Sequence, residues 1–141
     1  MPQATHEIQV RVRYAETDPM GYVHHSHYFT YFEMGRTEFL RAQGWRYRDF
    51  EERGFFMVAV KVSCRFHKPA RYDDLLTLRT IITRMTPARI EHRYELYRGQ
   101  ELLTEAESTL ACVDSEGRLQ AIPEEFRREE GPEATVDRKA T

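Results

Sequence analysis

The sequence predicts an α+β domain in which one long helix packs against an antiparallel sheet. Alternating apolar residues begin the chain at positions 8, 10, 12 and 14, which is the period of a half-buried strand. Apolar side chains then recur at helical spacing from Phe29 to Gln43, and four more alternating runs follow between Val58 and Val113. Strands gathered after a single helix favour α+β over a parallel α/β sheet.

The chain has 141 residues, which is the size of one domain. We assign residues 1–123 to that domain. Residues 124–141 consist mainly of Glu, Arg, Lys and Asp, and they have too little apolar surface to order themselves. The sequence therefore predicts a disordered charged tail, in which Phe126 is a candidate for docking on the domain.

The composition excludes several classes of function. The chain has 21 basic and 23 acidic residues, interspersed, whereas proteins that bind nucleic acid usually carry a basic excess. No apolar run approaches the ~20 residues that span a bilayer, and no secretory segment is present. Cys64 and Cys112 lie in apolar runs and are predicted to be packed free thiols. A cytoplasmic protein without nucleic-acid partners or a membrane span is expected.

The first half of the chain carries clear local signals. The first strand is predicted from His6 to Tyr14, and Asp18-Pro19-Met20-Gly21 is typical of a type I turn. Ser26 is the predicted N-cap of the long helix, and Gly44 its stop signal. The helix is apolar nearly all round, so it should be buried. Gly35 in its interior indicates close approach to a packed neighbour.

Two further segments are less regular. Trp45 to Gly54 mixes aromatic and arginine side chains, and it either packs its rings over the sheet or forms a lid over a ligand. Residues 118–122 suit a short edge strand.

The long strands leave unpaired sheet edges, for which edge-to-edge dimerisation is the natural protection.

Titratable groups concentrate just before the long helix. Glu16, Asp18, His24, His25 and His27 fall within twelve residues. Asp18 is explained either by the turn, where Asp bonds its own backbone, or by catalysis as a nucleophile or general base. The free N–H groups at the start of a helix can hold a developing oxyanion. Together these groups suit acyl transfer, including hydrolysis.

The three histidines also allow a metal-binding interpretation. Ligands one and two residues apart project in different directions, so we expect no metal there, and hydrogen bonds within the loop explain His24 and His27 as well. His67 and His92 lie in or beside strand patterns and are predicted to be structural. No phosphate-binding loop, G-x-S-x-G elbow or Cys–His arrangement is present.

The motif around Asp18 resembles that of a known family. Residues 12–28 read VRYAETDPMGYVHHSHY, followed by YFE at 31–33 and RTEFL at 36–40. This is similar to the signature of hotdog-fold acyl-CoA thioesterases, above all the 4-hydroxybenzoyl-CoA thioesterase and YbgC-like group. Residues 69–74, PARYDD, resemble the family's second landmark. The likeness extends over residues 6–122.

The resemblance implies a hotdog fold, in which five or six antiparallel strands wrap the helix. It further implies a homodimer joined at the sheet edges, often paired again into a homotetramer, with active sites at the interface and no metal or organic cofactor. Asp18 matches the catalytic carboxylate. His25 matches the histidine of the YbgC-like branch, whose backbone N–H would face the thioester oxygen.

Other residues are assigned to substrate binding. Tyr14, Gly21 and Tyr28 match motif positions that shape the loop. Lys68 and Arg71, together with Arg89, are candidates for the phosphates of CoA, although each is also explained as a solvated or salt-paired surface charge.

The expected reaction is hydrolysis of an acyl- or aryl-CoA, with Asp18 either attacking the carbonyl directly or activating water. Three alternatives stay open. They are a thioesterase acting on acyl carrier protein, another enzyme on the same scaffold such as a hydratase, and a non-catalytic oligomer that binds acyl-CoA, since a fold alone does not determine function.

Overall fold

The computed structural model describes residues 4–127, which form one antiparallel sheet and two helices. The strands are β1 (Ala4–Arg11), β2 (Phe56–Phe66), β3 (Leu75–Met85), β4 (Arg89–Arg98), β5 (Glu101–Val113) and β6 (Leu119–Gln120), and the helices are α1 (His25–Ala42) and α2 (Tyr47–Glu52). The sheet order is β1–β3–β4–β5–β2, with β6 paired to the end of β5. The predicted α+β class and hotdog arrangement are confirmed.

Helix α1 packs against β1 and β3 through a single face. Phe32 on this face stacks on Tyr94 of β4 with 4.7 Å between ring centroids. The buried residues of the helix are Tyr28, Tyr31, Phe32, Gly35 and Phe39. Complete burial of such a large side chain contributes about 1.5–3 kcal/mol. The prediction of burial all round is wrong, because Phe29 and Met34 are each 41% exposed.

Gly35 makes the close approach that the sequence predicts. A Cβ atom built at this position would lie 2.4 Å from Thr80 Oγ1 and 2.7 Å from Leu78 Cδ2 of β3. Both distances are well inside van der Waals contact. The missing side chain is therefore what allows the middle of α1 to lie directly on β3.

The boundaries of the first elements differ from the prediction. Strand β1 ends at Arg11, and Tyr14–Glu16 form a 3-10 turn, because Glu16 bonds back to Arg13. The N-cap of α1 is His24 rather than Ser26, since His24 Nδ1 accepts the Ser26 N–H at 3.3 Å. The predicted turn is present, with the Gly21 N–H donating to Asp18 O at 2.9 Å.

Strand β2 does not keep one alternation along its length. The pairing register with β5 shifts between Ala59 and Lys61, which marks a bulge. Before the shift, Met57 and Ala59 line a cavity beneath the helix, whereas after it Cys64 packs against the main core. The predicted apolar face of positions 58 to 66 is therefore split at the bulge.

A second cluster of aromatic side chains covers the other end of the sheet. Phe50 of α2 stacks on Phe126 with 3.7 Å between centroids, and Trp45 lies 4.3 Å from the Phe126 ring. The cluster also includes Cys112, which is buried and, like Cys64, a free thiol. The rings of the 45–54 segment thus pack over the sheet, one of its two predicted roles.

The charged tail is described only in part. Residues Glu124–Arg127 form a 3-10 turn, and Phe126 is buried in the second aromatic cluster, in agreement with its candidate docking role. The disorder of the charged tail stays a prediction. Residues 128–141 lie outside the described residues. Neither helix within residues 4–127 is long and apolar enough to cross a membrane.

Replacing Gly35 by alanine should destabilise the fold. The new methyl group must displace Thr80 and Leu78, which are buried, and overpacking of this kind costs about 1–3 kcal/mol. Urea unfolding followed by circular dichroism measures the change. Thr30→Ala, at an exposed position of the same helix, is the control and should be neutral or stabilising. Equal stability of Gly35→Ala and the parent would contradict the packing argument.

Candidate active site

A cleft of about 430 Å³ opens at the N-terminus of α1 and is bounded on its far side by the end of β2. We call it the N-terminal cleft. Its lining residues come from the turn, the first helical turn and the segment after β2: Asp18, Tyr22, Val23, His24, His25, Tyr28, Phe66, His67, Lys68 and Pro69. The structure therefore brings Asp18 and His25, both assigned to catalysis from the sequence, into one cleft.

The two carboxylate oxygens of Asp18 have different environments. Oδ1 accepts the backbone N–H of Met20 at 2.9 Å and that of Tyr22 at 3.1 Å. Oδ2 takes part in no hydrogen bond within residues 4–127. The turn thus fixes the orientation of the carboxylate through one oxygen. The other oxygen is left for a substrate or a water molecule.

The first turn of α1 offers a backbone donor. His24 satisfies two of the free N–H groups, because its Nδ1 accepts from Ser26 and its carbonyl from His27. The His25 N–H makes no hydrogen bond to any described residue. An unpaired N–H at the positive end of a helix dipole is suited to hold a carbonyl or oxyanion oxygen.

A buried carboxylate connects the loop to the helix. Glu16 is 4% exposed, and its Oε1 accepts the Tyr31 hydroxyl at 2.7 Å and the Arg13 N–H at 2.8 Å. Its Oε2 accepts the Arg13 guanidinium, and its backbone carbonyl accepts the His24 N–H. We call this group of contacts the Glu16 clasp. It fixes the turn before Asp18 to the second turn of α1.

Hydrogen bonding determines the protonation of the clasp. Burial alone would raise the pKa of the Glu16 carboxyl, but the hydrogen bonds from Arg13 and Tyr31 outweigh burial and lower this pKa below its ordinary value of 4.5. Burial and the neighbouring Glu16 carboxylate raise the pKa of Tyr31. Near neutral pH Tyr31 therefore donates to an ionised Glu16.

The three residues assigned to loop shape occupy different places. Tyr28 lines the cleft, and its hydroxyl accepts the Ala70 N–H at 3.2 Å, which ties the helix to the second landmark motif. Gly21 closes the turn with φ +81°, a conformation that favours glycine. Tyr14 does not line the cleft. It is 78% exposed and contacts Tyr72 edge-on.

The three predicted phosphate contacts also separate. Lys68 lines the cleft and pairs with Glu101 at 2.5 Å, and the Arg71 guanidinium lies 5.3 Å above the ring of Tyr22, itself a cleft residue. Arg89 begins β4, whereas Arg98 at the other end of that strand bonds to Pro69 in the cleft wall. A ten-residue strand spans about 30 Å, so this chain does not bring Arg89 together with Asp18.

Three further histidines have separate roles. His24 caps the helix, His67 Nε2 contacts Glu105 at 2.9 Å, and His92 is buried on β4. Within residues 4–127, no group of three or more His, Cys, Asp or Glu side chains is arranged to hold a metal ion.

Sequence reasoning missed part of the cleft wall. Phe66, His67 and Pro69 line it, and Phe66 meets the Tyr28 ring edge-on at 4.9 Å. Their position in the sequence was the available signal, because Phe66 and His67 lie just before the second landmark motif and Pro69 is its first residue. The clasp was not predicted either, because the sequence does not distinguish a buried glutamate from an exposed one.

The sequence of this chain is similar to those of known thioesterases. The family model of the thioesterase-like superfamily matches residues 12–129. The chain is 34% identical over 109 residues to the putative acyl-CoA thioesterase YneP of Bacillus subtilis, covering 77% of this chain and 79% of that protein. It is 33% identical over 121 residues to the acyl-CoA thioesterase YbgC of Haemophilus influenzae, with coverage of 84% and 88%.

A solved structure agrees with these relatives. The crystal structure of a probable thioesterase from Bartonella henselae superposes with a TM-score of 0.81 at 35% identity, covering 85% of this chain and all of that one.

The Glu16 clasp makes stability depend on pH. Because the pKa of Glu16 is lowered on folding, its ionised form stabilises the protein above pH 4.5, and this stabilisation is lost as the pH falls through the lowered pKa. Glu16→Gln should lower the free energy of unfolding at pH 7 by about 1–3 kcal/mol. The difference from the parent should shrink below pH 4.5. Urea unfolding at pH 7 and pH 3.5, values chosen to bracket that transition, measures both effects.

The matched control is Glu38→Gln, which removes an exposed carboxylate paired with Arg41 on the same helix. A surface pair of this kind contributes about 0–1 kcal/mol, so its variant should follow the parent. A Glu16→Gln difference that is the same at both pH values would contradict the clasp.

Proposed function

We propose, since this chain belongs to the thioesterase-like superfamily, that it hydrolyses the thioester of an acyl- or aryl-CoA to the free acid and CoA. The observation that carries the proposal is that two groups lie in the same N-terminal cleft: the Asp18 carboxylate, which has one oxygen without a hydrogen bond among the described residues, and the His25 N–H, which has no acceptor there. A hydrolase needs one group that delivers a nucleophile and another that holds the carbonyl oxygen.

In the proposed mechanism the thioester carbonyl lies at the first turn of α1. The His25 N–H donates to the carbonyl oxygen and stabilises the negative charge that develops there, with support from the helix dipole. Removal of one such donor in other enzymes costs about 10²–10³ in turnover. Because the donor is a backbone group, the His25 side chain itself serves mainly to line the cleft.

Two routes remain for Asp18. In the first, Oδ2 attacks the carbonyl and forms an acyl–Asp18 anhydride while CoA leaves as a thiolate, and water then hydrolyses the anhydride. In the second, Asp18 takes a proton from water as that water attacks the carbonyl, and the tetrahedral intermediate then collapses with CoA leaving as a thiolate. Single turnover in ¹⁸O-labelled water tests the covalent route, because ¹⁸O enters the Asp18 carboxylate only when water attacks the Asp18 carbonyl of the anhydride.

Lys68 and Arg71 are the proposed contacts for the phosphates of CoA, because Lys68 lines the cleft and the Arg71 guanidinium lies over the ring of the cleft residue Tyr22. Arg89 stays a prediction that a single chain does not support. A cytoplasmic location and a homotetramer also remain predictions, and an acyl carrier protein as the thiol carrier is the alternative to CoA.

Asp18→Asn should lower turnover by at least about 10²-fold with little change in stability, because the amide retains an oxygen for the Met20 and Tyr22 N–H groups but cannot attack or accept a proton. Release of thiol measured with Ellman's reagent reports turnover. The panel should cover short, medium, long and aryl acyl-CoAs, together with acyl carrier proteins bearing the same acyl groups.

The chain supplies a matched control in Asp114. Its Oδ1 accepts the N–H groups of Glu116 and Arg118, and its carbonyl accepts that of Gly117, so it forms the same kind of turn away from the cleft. Asp114→Asn should keep full activity. Near-normal turnover by Asp18→Asn would refute the assignment, and absence of turnover on every substrate would favour a non-catalytic binding protein.

The free edge of β2 supports the proposed dimer. Within residues 4–127 this strand pairs only with β5, and its Val58, Val60 and Val62 are 39%, 51% and 42% exposed. An apolar sheet edge of this kind is a template for pairing with another chain.

Val60→Lys should shift the chain from dimer to monomer, because a second copy would bring a like charge to the same edge. Sedimentation velocity measures the change. Leu119→Lys, at a residue 78% exposed on β6, is the control and should leave the oligomer intact. A parent chain that sediments as a monomer, or a Val60→Lys variant that remains dimeric, would contradict the β2 interface.

A further inference from the structure

We propose that this chain has a second ligand site, separate from the N-terminal cleft, which binds a carboxylic acid with an apolar body through Arg36. The site is a cavity of about 280 Å³ enclosed by the C-terminal half of α1, by α2 and by the sheet. We call it the helix–sheet cavity. It shares no lining residue with the N-terminal cleft.

The walls of the helix–sheet cavity are mainly apolar. They include Phe39 and Leu40 of α1, Phe50 of α2, Ile90 and Leu110 of the sheet, and Phe126 from the segment after β6. A cavity of about 150 Å³ with such walls holds benzene in another protein, so the present one has room for a medium-length chain or a bicyclic ring. Apolar walls of this size favour the hydrophobic part of a ligand.

One guanidinium, that of Arg36, lies in the cavity wall without an ion pair among the described residues. Arg36 Nη1 donates to the Tyr94 hydroxyl at 3.0 Å, and that hydroxyl contacts Ser108 Oγ at 2.6 Å. Within residues 4–127 Arg36 makes no other hydrogen bond and no ion pair, even though Glu33 lines the same cavity one turn earlier. Its other N–H groups have no acceptor among the described residues, and the side chain is only partly buried.

Arg36 is partly buried, so water can reach its free N–H groups. A carboxylate that accepts two parallel N–H bonds from the guanidinium replaces that water with a charge-assisted, bidentate pair. The single positive charge matches a monocarboxylate better than a phosphate, which brings a second negative charge into the same apolar walls. The geometry therefore selects an acid with an apolar body rather than a phosphorylated ligand.

His92 supplies a second polar contact beside Arg36. It lines the cavity, is 7% exposed, and its Nδ1 has no hydrogen-bond partner among the described residues. Burial, together with the Arg36 charge, lowers the pKa of His92 to about 3, so the imidazole is neutral in solution near pH 7. A neutral imidazole can hydrogen-bond a ligand without adding charge to the cavity.

The site is remote from the proposed chemistry. Arg36 lies eleven positions beyond His25 on the same helix, about 16 Å along its axis at 1.5 Å per residue. A carboxylate held by Arg36 is therefore not at Asp18. The inference stands whether or not the chain is a hydrolase, although the acid released by the proposed reaction belongs to the same chemical class.

The test is a titration of the intact chain with octanoate, followed by tryptophan emission. Trp45 is the single tryptophan and lies against Phe126, which lines the cavity. Octanoate should bind more tightly than 1-octanol, which has the same tail without the charge, and acetate should not bind measurably. Equal affinity for octanoate and 1-octanol would overturn the proposal.

Arg36→Met keeps an unbranched apolar side chain and removes the guanidinium. It should weaken octanoate binding by about tenfold or more and leave 1-octanol unchanged, because only the charge-assisted hydrogen bonds are lost. Arg41→Met, at an exposed position of the same helix, is the control. Unchanged octanoate affinity in Arg36→Met would overturn the proposal.

Two further variants complete the experiment. Asp18→Asn should bind octanoate like the parent, and a change of about tenfold there would assign the acid to the N-terminal cleft instead and overturn the proposal. If Arg36→Met does not fold, Arg36→Lys replaces it. Lysine keeps the charge without the two-pronged geometry, so octanoate should bind about threefold to tenfold more weakly, and unchanged affinity would overturn the proposal.

Discussion

The contact between the middle of α1 and β3 is the constraint on which the other features depend. Gly35 lies so close to Leu78 and Thr80 that no side chain fits between the helix and the sheet. Contact this close fixes both the position of the helix on the sheet and its rotation about its own axis. As a result, the first turn of the helix lies beside the loop that carries Asp18, and its last turns form one wall of the helix–sheet cavity. Packing at a single glycine thus positions polar groups at both ends of the helix.

The Glu16 clasp fixes the loop to the helix, so that the loop has a defined position as well. The loop carries Asp18, the proposed catalytic group, and a buried carboxylate with hydrogen bonds from Arg13 and Tyr31 fixes its geometry. Buried charges are stable only when such partners surround them. Because Tyr31 lies on the same helical face as Gly35, the clasp and the close contact support each other through one rigid element.

Local patterns predicted most of the fold and the centre of the site. The strand periods, the turn at Asp18 and the role of Gly35 depend on neighbours in the sequence, and they can be read there. The helix cap could not be, because the His24 imidazole and the Ser26 hydroxyl are both able to cap, and packing decides between them. The bulge in β2 and the burial of Glu16 depend on distant partners that no local period reveals.

The two outer strands of the sheet, β1 and β2, differ in the features that limit pairing with further strands. Within residues 4–127, β1 pairs only with β3, and its other edge presents polar and charged side chains such as Glu7 and Arg11, which discourage another strand from docking. The edge of β2 is apolar, yet its bulge after Ala59 breaks the regular spacing of backbone donors and acceptors. Stacking of many copies into a fibril needs flat edges with unbroken spacing on both sides. This sheet therefore admits a limited association while resisting open-ended polymerisation into amyloid.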